Sequence, residues 1–224
     1  MCLHISSLRR ELMRLTKSKV LFLDETTLRL SAAPHSTLVA PGETNYVVVD
    51  DTSSYAARCD MIACCSGDTV FPPIIFSPED RAAWGQAGIN TDMLIFHVEQ
   101  LLARALGALD LFPLPLVIDH SRIHNVDKLM EAFHENGCQE LQTIYLMPPD
   151  AAKRMSPLDN ALVNQWKEAI DKRGKLTKKN IIQIMSEEWN NITTSSLRAP
   201  SRNFGLVHGI DPYFDSSSHR HHSA

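Results

Sequence analysis

An α/β fold, a mixed β-sheet flanked by helices on both faces, is what this 224-residue chain predicts. Three observations carry it. Apolar runs of strand length recur at Lys19–Leu23, Arg58–Cys65, Leu116–Ile118 and Thr143–Leu146. Meandering strands come first and strand–helix units alternate afterwards, an order that covers both faces of one sheet. No Gly-x-Gly-x-x-Gly follows the first strand and no P-loop occurs, which disfavours a doubly wound nucleotide-binding sheet.

The elements follow in order. Residues 1–18 predict an N-terminal helical segment, with Ile5, Leu8, Leu12 and Leu15 on one face and Arg9, Arg10 and Arg14 elsewhere. Lys19–Leu23 is a buried strand ending at Asp24-Glu25. Pro34, Pro41 and Gly42 make the next stretch turn-rich, before strands at Asn45–Val49 and Arg58–Cys65. Ser66-Gly67-Asp68 turns the chain into a strand over Thr69–Phe76, which Pro72-Pro73 limits to an edge or a bulge. Pro78–Asn90 reads as irregular. Leu94, Val98, Leu101, Leu102, Ala105 and Leu109 then repeat at helical spacing from Asp92.

Pro113 and Pro115 stop that helix and lead into Leu116–Ile118. Val126, Leu129, Met130 and Phe133 define the next helix, and Gly137 is placed to end it. After Thr143–Leu146 and a Pro148-Pro149-Asp150 loop, Ser156-Pro157 starts a helix carrying Leu158, Leu162, Trp166 and Ile170. Ile181, Ile182, Met185 and Trp189 mark a last one. Residues 211–224, rich in Ser and His, read as a disordered tail.

With 44% hydrophobic and 21% charged residues the composition is that of a soluble globular protein. No apolar run reaches the roughly 18 residues that a membrane span needs, and the N-terminus lacks the layout of a secretory signal. An intracellular protein is expected. Five cysteines without a C-x-x-C pair support neither a disulfide framework nor a zinc site. A net charge of -4 counts against tight, independent DNA binding, but not against a catalytic core delivered to DNA by another segment.

Three aspartates carry the chemistry. Asp24 and Asp119 each close an apolar strand, and Asp159 stands at a helix start. Singly, each reads as well as a turn or cap residue, and Ser156-Pro157-Leu158-Asp159 fits a capping box. Together they match the way an RNase H-like, retroviral integrase-like fold gathers carboxylates around divalent metal. Mg²⁺ needs few carboxylates beside its waters and a substrate phosphate, and such a site activates a water or hydroxyl against a phosphodiester. Glu25, expected on the face opposite Asp24, and Asp150, in a Pro-rich loop, are candidate substitutes.

These residues also resemble a known family. Val20-Leu21-Phe22-Leu23-Asp24-Glu25 looks like the first motif of the mariner and pogo group of DDE transposases. Val117-Ile118-Asp119-His120-Ser121-Arg122-Ile123-His124 looks like the second, an Asp closing a strand with a His five residues later. Leu146-Met147-Pro148-Pro149, ten residues before Ser156-Pro157-Leu158-Asp159, is similar to the third, with 39 residues between Asp119 and Asp159. Arg58–Phe76 resembles the family's central strands, and Glu188-Trp189-Asn190-Asn191-Ile192 its late Trp-x-x-Ile segment.

The resemblance spans about Lys19 to Ile210 and implies a catalytic domain over 19–210. It implies Asp24, Asp119 and Asp159 as the catalytic, metal-binding triad, with Mg²⁺ as cofactor and Mn²⁺ as substitute. His124 and Glu25 are supporting candidates. Implied too are cleavage at transposon ends, joining of the freed 3′-OH to target DNA, DNA as partner with a homodimer left open, and a nuclear location in a eukaryote. The chain departs from the pattern at His120, where the family commonly has Asn, and at Pro200, inside an expected final helix. Only 23 residues precede Asp24, so a catalytic domain without the family's DNA-binding modules is expected.

Lys172, Arg173, Lys175, Lys178 and Lys179 form a basic cluster between two helices, read equally as DNA-backbone contacts, a nuclear import signal or a solvated loop. Trp84 is a loop aromatic that either stacks on a flipped base or covers a core edge; Trp166 and Trp189 are packing residues. His124 positions a phosphate or water, or caps the following helix. Two other functions compete with strand transfer. One is a catalytically lapsed or recruited domain that binds DNA or protein. The other is a haloacid dehalogenase-like phosphatase built on Asp24, weakened by Thr26 where a second Asp is expected.

Overall fold

The computed structural model describes residues 20–29, 58–108, 115–139, 141, 143–148, 156–174 and 176–193, together with Ser7, Arg10, Leu12 and Leu197. The expected strand at Asn45–Val49, Asp150, Lys175, Pro200, the tail and nearly all of residues 1–18 lie outside them.

Five strands, β1 (Leu21–Arg29), β2 (Arg58–Cys65), β3 (Ile74–Phe76), β4 (Pro115–Asp119) and β5 (Thr143–Met147), form one sheet in the order β3-β2-β1-β4-β5. β1, β2 and β3 pair antiparallel, while β4 joins β1 and β5 joins β4 in parallel. The helices are α1 (Pro78–Ala83), α2 (Thr91–His97), α3 (Ala103–Ala108), α4 (Val126–Glu135), α5 (Val163–Lys172) and α6 (Ile181–Asn190). Wide π-type turns at Val98–Leu102 and Leu158–Leu162 lead into α3 and α5.

The alternation of side chains along each strand sorts the core into two halves. Phe22, Met61, Ala63, Cys65 and Val117 face one layer, where Leu158, Leu162, Trp166 and Ile170 meet Ile181, Met185 and Trp189. Leu12 is buried with them. Leu21, Leu23, Ile62, Cys64, Leu116 and Ile118 face the other layer, against Met93, Leu94, Val98, Leu102, Leu129 and Phe133. Burial on both faces explains why β2 and β4 read as nearly continuous apolar runs.

The structure departs from expectation in four places. β1 does not end at Asp24 but runs to Arg29, because its partner β2 keeps pairing through Arg29↔Arg58 although Thr26 and Thr27 carry no apolar signal. The strand expected over Thr69–Phe76 is reduced to Ile74–Phe76 plus a bridge at Cys65↔Val70, with Pro72-Pro73 interrupting the ladder.

Pro78–Ala83 is a helix, not irregular chain. Ser77 Oγ accepts from the Asp80 N–H at 3.0 Å and the Asp80 carboxylate accepts from the Ser77 N–H at 2.8 Å, a reciprocal cap. On α6 the buried face is Ile181, Ile184, Met185 and Trp189, while Ile182 is exposed.

The interrupted segment before β3 is held from both layers. Trp189 Nε1 donates to the Phe71 carbonyl at 2.9 Å, and His97 Nε2 meets the Pro72 carbonyl at 3.2 Å. The Phe71 carbonyl that the broken ladder leaves buried, and the Pro72 carbonyl in its part-buried contact, are thereby satisfied. Trp166 and Trp189 pack edge to face at 6.2 Å, as packing residues should. Trp84 packs edge to face on Phe96 at 5.5 Å, the core-covering reading of that residue.

Candidate metal centre

Asp24 and Asp119 stand two residues beyond Phe22↔Val117, the last pair of the parallel β1–β4 ladder. Both follow residues of the same core half, and Asp24 pairs with Ala63 of that half on β2. Asp159 comes from the helical layer covering that face. Its N–H donates to Ser156 Oγ at 3.2 Å, the capping contact expected of Ser156-Pro157-Leu158-Asp159. Leu158 and Leu162, buried on either side of Asp159 in the same turn, seat that turn against the sheet.

The carboxyl of Asp24 lies close enough to that of Asp159 for each to act on the other's charge. Burial first, then the charges of Asp159 and Glu25, push the Asp24 pKa up to about 8, against the lowering pull of the Glu25 N–H that Asp24 Oδ1 accepts at 2.8 Å. Two carboxyls this close repel each other when both are ionised, a repulsion that a cation between them would relieve.

Asp119 has a different neighbour. Beyond β4 the chain curls through Ser121 N–H to the Asp119 carbonyl and His124 N–H to the Ser121 carbonyl, both at 3.2 Å, and so returns His124 over the strand end. Its Nδ1 donates to the Asp119 carbonyl at 2.8 Å and lies 2.7 Å from Asp119 Oδ1, a charge contact without hydrogen-bond geometry. Oδ1 is consequently buried with no hydrogen bond of its own. His124 Nε2 meets Glu25 Oε1 at 2.9 Å. Burial would lower the His124 pKa, but the facing Asp119 and Glu25 carboxylates outweigh it and hold it at about 10.

His124 does not cap the helix that follows; Asn125 does, its side chain accepting from the Lys128 N–H at 3.1 Å. Glu25 alternates to the face opposite Asp24, as expected, its strand partner Ile62 belonging to the other core half. What sequence reasoning missed is its contact with His124. The Asp24-Glu25 pair signals two carboxylates on two faces, but nothing local says that a loop 99 residues away folds back to one of them.

Among the described residues, the ligand atoms of Glu25, Asp119 and His124 form a group within 4.8 Å of one another. The expected triad is not such a group: Asp24 lies close enough to Asp159 to feel its charge, and Asp119 follows the last β1–β4 pair by two residues on the neighbouring strand. An all-oxygen set of carboxylates with a buried, unbonded Asp119 Oδ1 fits a hard divalent cation.

Of the basic cluster, Lys172, Lys178 and Lys179 are exposed. Arg173 is paired with Glu187, and with Glu188 at 3.4 Å.

The sheet order, its single parallel-to-antiparallel switch at β1 and the two helical layers define an RNase H-like fold. Solved structures of the mariner transposase Mos1 share it. The chain matches the Mos1 paired end complex with Mn at 13% identity and a TM-score of 0.65, over 94% of this chain and 61% of that one. It matches the Mos1 strand transfer complex at 13% identity and a TM-score of 0.62, over 91% and 58%. For the Mos1 transposase catalytic domain with Raltegravir and Mn the identity is 10% and the TM-score 0.58, over 92% and 86%. The chain thus spans about three-fifths of the Mos1 chains in those complexes. No protein-family model and no curated protein sequence matches it.

Proposed function

We propose that the chain is the catalytic core of a mariner-like DDE transposase, cleaving phosphodiesters at transposon ends and joining the freed 3′-OH to target DNA. The observation that supports the reading is that Asp24 and Asp119 both stand two residues past Phe22↔Val117, on neighbouring strands, with Asp159 of the covering layer acting on the charge of Asp24. In this reading Asp24, Asp119 and Asp159 hold Mg²⁺ or Mn²⁺. When bound, the metal supplies charge stabilisation for the entering and leaving oxygens of an in-line displacement at phosphorus. In this reading β1 and β4 supply two of the carboxylates from neighbouring strands, and the turn capped by Ser156 supplies the third.

DNA is the partner, with a homodimer holding two ends together, and the nucleus of a eukaryote is where such a protein would work. Lys172, Lys175, Lys178 and Lys179 supply backbone contacts near α5 and α6, and the net charge of -4 makes them a local attraction rather than a global one.

The reading is tested by incubating the protein with supercoiled plasmid at low salt with Mn²⁺, beside Asp119→Ala and an EDTA control. Nicking by wild type with metal alone is the expected result. A folded wild-type protein that never nicks, even when tethered to a DNA-binding module, would instead favour a lapsed domain retained for binding.

A further inference from the structure

His124 touches both carboxylates that flank the strand ends, and its ring is fully engaged. Nδ1 faces the Asp119 carbonyl at 2.8 Å and Nε2 faces Glu25 Oε1 at 2.9 Å. Both ring nitrogens thus lie within hydrogen-bond distance of protein oxygens, and neither is left facing an open position. The side chain of His124 is completely buried, while those of Glu25 at 19% and Asp119 at 36% are partly exposed. The group resembles a metal site by residue type but works as a brace by geometry.

We propose that Glu25 and His124 are positioning residues for Asp119, Glu25 acting only through the imidazole ring. This rests on the reading of Asp119 as a metal ligand. The ring grips Asp119 twice, by its backbone carbonyl and by the 2.7 Å approach to Oδ1, so both the end of β4 and the torsion of the carboxylate are held. Glu25 on the neighbouring strand holds the ring in turn. Asp24 and Glu25, adjacent in sequence, thus divide the work by face: Asp24 lies with Asp159, and Glu25 steadies Asp119 from the other side. A ligand held in one orientation binds more tightly than a free one, and loss of such a support typically weakens metal binding about 10- to 100-fold.

The test is calorimetric titration of the full chain with Mn²⁺, for wild type, Asp119→Ala, Glu25→Leu, Glu25→Gln, His124→Gln and the Glu25→Leu/His124→Gln double variant. Wild type should bind and Asp119→Ala should lose most of that binding. Glu25→Leu should weaken it by about 10-fold or more, and Glu25→Gln, whose amide oxygen still accepts from Nε2, should restore most of it. In the His124→Gln background Glu25→Leu should change nothing further, because the brace is already gone.

A wild-type chain that binds no Mn²⁺ overturns the metal reading and this inference with it. Wild type that binds normally while Glu25→Leu binds equally well overturns the brace alone. So does a Glu25→Leu effect that persists undiminished without His124, since Glu25 would then be a ligand itself. Should His124→Gln fail to fold, the contrast between Glu25→Leu and Glu25→Gln still decides, a similar loss in both overturning the brace.

Discussion

Glu25 Oε1 and His124 Nε2 lie 2.9 Å apart although 99 residues separate them along the chain. That contact ties the central strand β1 to the loop after its parallel neighbour β4, at the point where the β1–β4 ladder has already ended. The neighbouring Asp24 is tied in the same region to the helical layer through Asp159. Two adjacent residues of one strand therefore connect to both of its surroundings.

Asp119→Ala is expected to abolish metal-dependent plasmid nicking while leaving the fold intact. The substitution removes the carboxylate that lies 2.7 Å from the buried His124 ring, but His124 keeps its contacts to the residue 119 carbonyl and Glu25. The check is a nicking assay beside a thermal melt. A variant that cuts at the wild-type rate would remove Asp119 from the site.

His97 makes stability fall with acid. Burial lowers its pKa from 6.5 to about 4, with the Pro72 carbonyl opposing the shift. The unfolded chain thus binds a proton that the folded one refuses, so this contribution is complete above pH 6.5 and is lost as pH falls towards 4. About 2 kcal/mol should disappear between pH 7 and pH 5. Urea unfolding across that window, for wild type and His97→Gln, isolates the residue, and the variant's curve should be flatter by that amount.

Trp189→Phe keeps an aromatic ring against Trp166 but removes the donor to the Phe71 carbonyl. A buried carbonyl without a partner costs about 2 kcal/mol. Chemical denaturation should show that loss with an unchanged dependence on denaturant, and no loss would mean that water reaches Phe71.

Lys178→Ala and Lys179→Ala should each weaken DNA binding and reduce the dependence of log affinity on log salt by about 1 for every phosphate left unneutralised. Arg173→Ala should change that slope little, because its charge is already spent on Glu187 and Glu188. Binding measured at several salt concentrations separates these cases. Three unchanged slopes would return the cluster to a solvated loop.

Much of the architecture was legible because it is written in local patterns. Leu21, Phe22 and Leu23 announce a strand buried on both faces, and Leu158, Leu162, Trp166 and Ile170 mark one helix face. Other parts depend on partners far away. Thr26 and Thr27 are strand because β2 is there to pair with them, Thr27 Oγ1 also donating to Asp60 at 2.9 Å. Ser77-Pro78-Glu79-Asp80 does carry a readable cap, but the helix that follows is too short to show a period of its own. Ile182 and Ile184 differ only in which side the sheet lies on, a fact of docking. The Asp119–His124 spacing was readable as a motif, but the contacts of His124 to Asp119 and Glu25 formed only when the loop closed.

Asp24 and Asp119 belong to the sheet, whereas Asp159 arrives with the turn that docks on Leu158 and Leu162. On the proposed reading, the blade is assembled from two pieces that meet only when the layer closes. Detaching the covering helices would disarm the chain before the strands came apart, so a half-made copy would carry its acids without an edge to cut with.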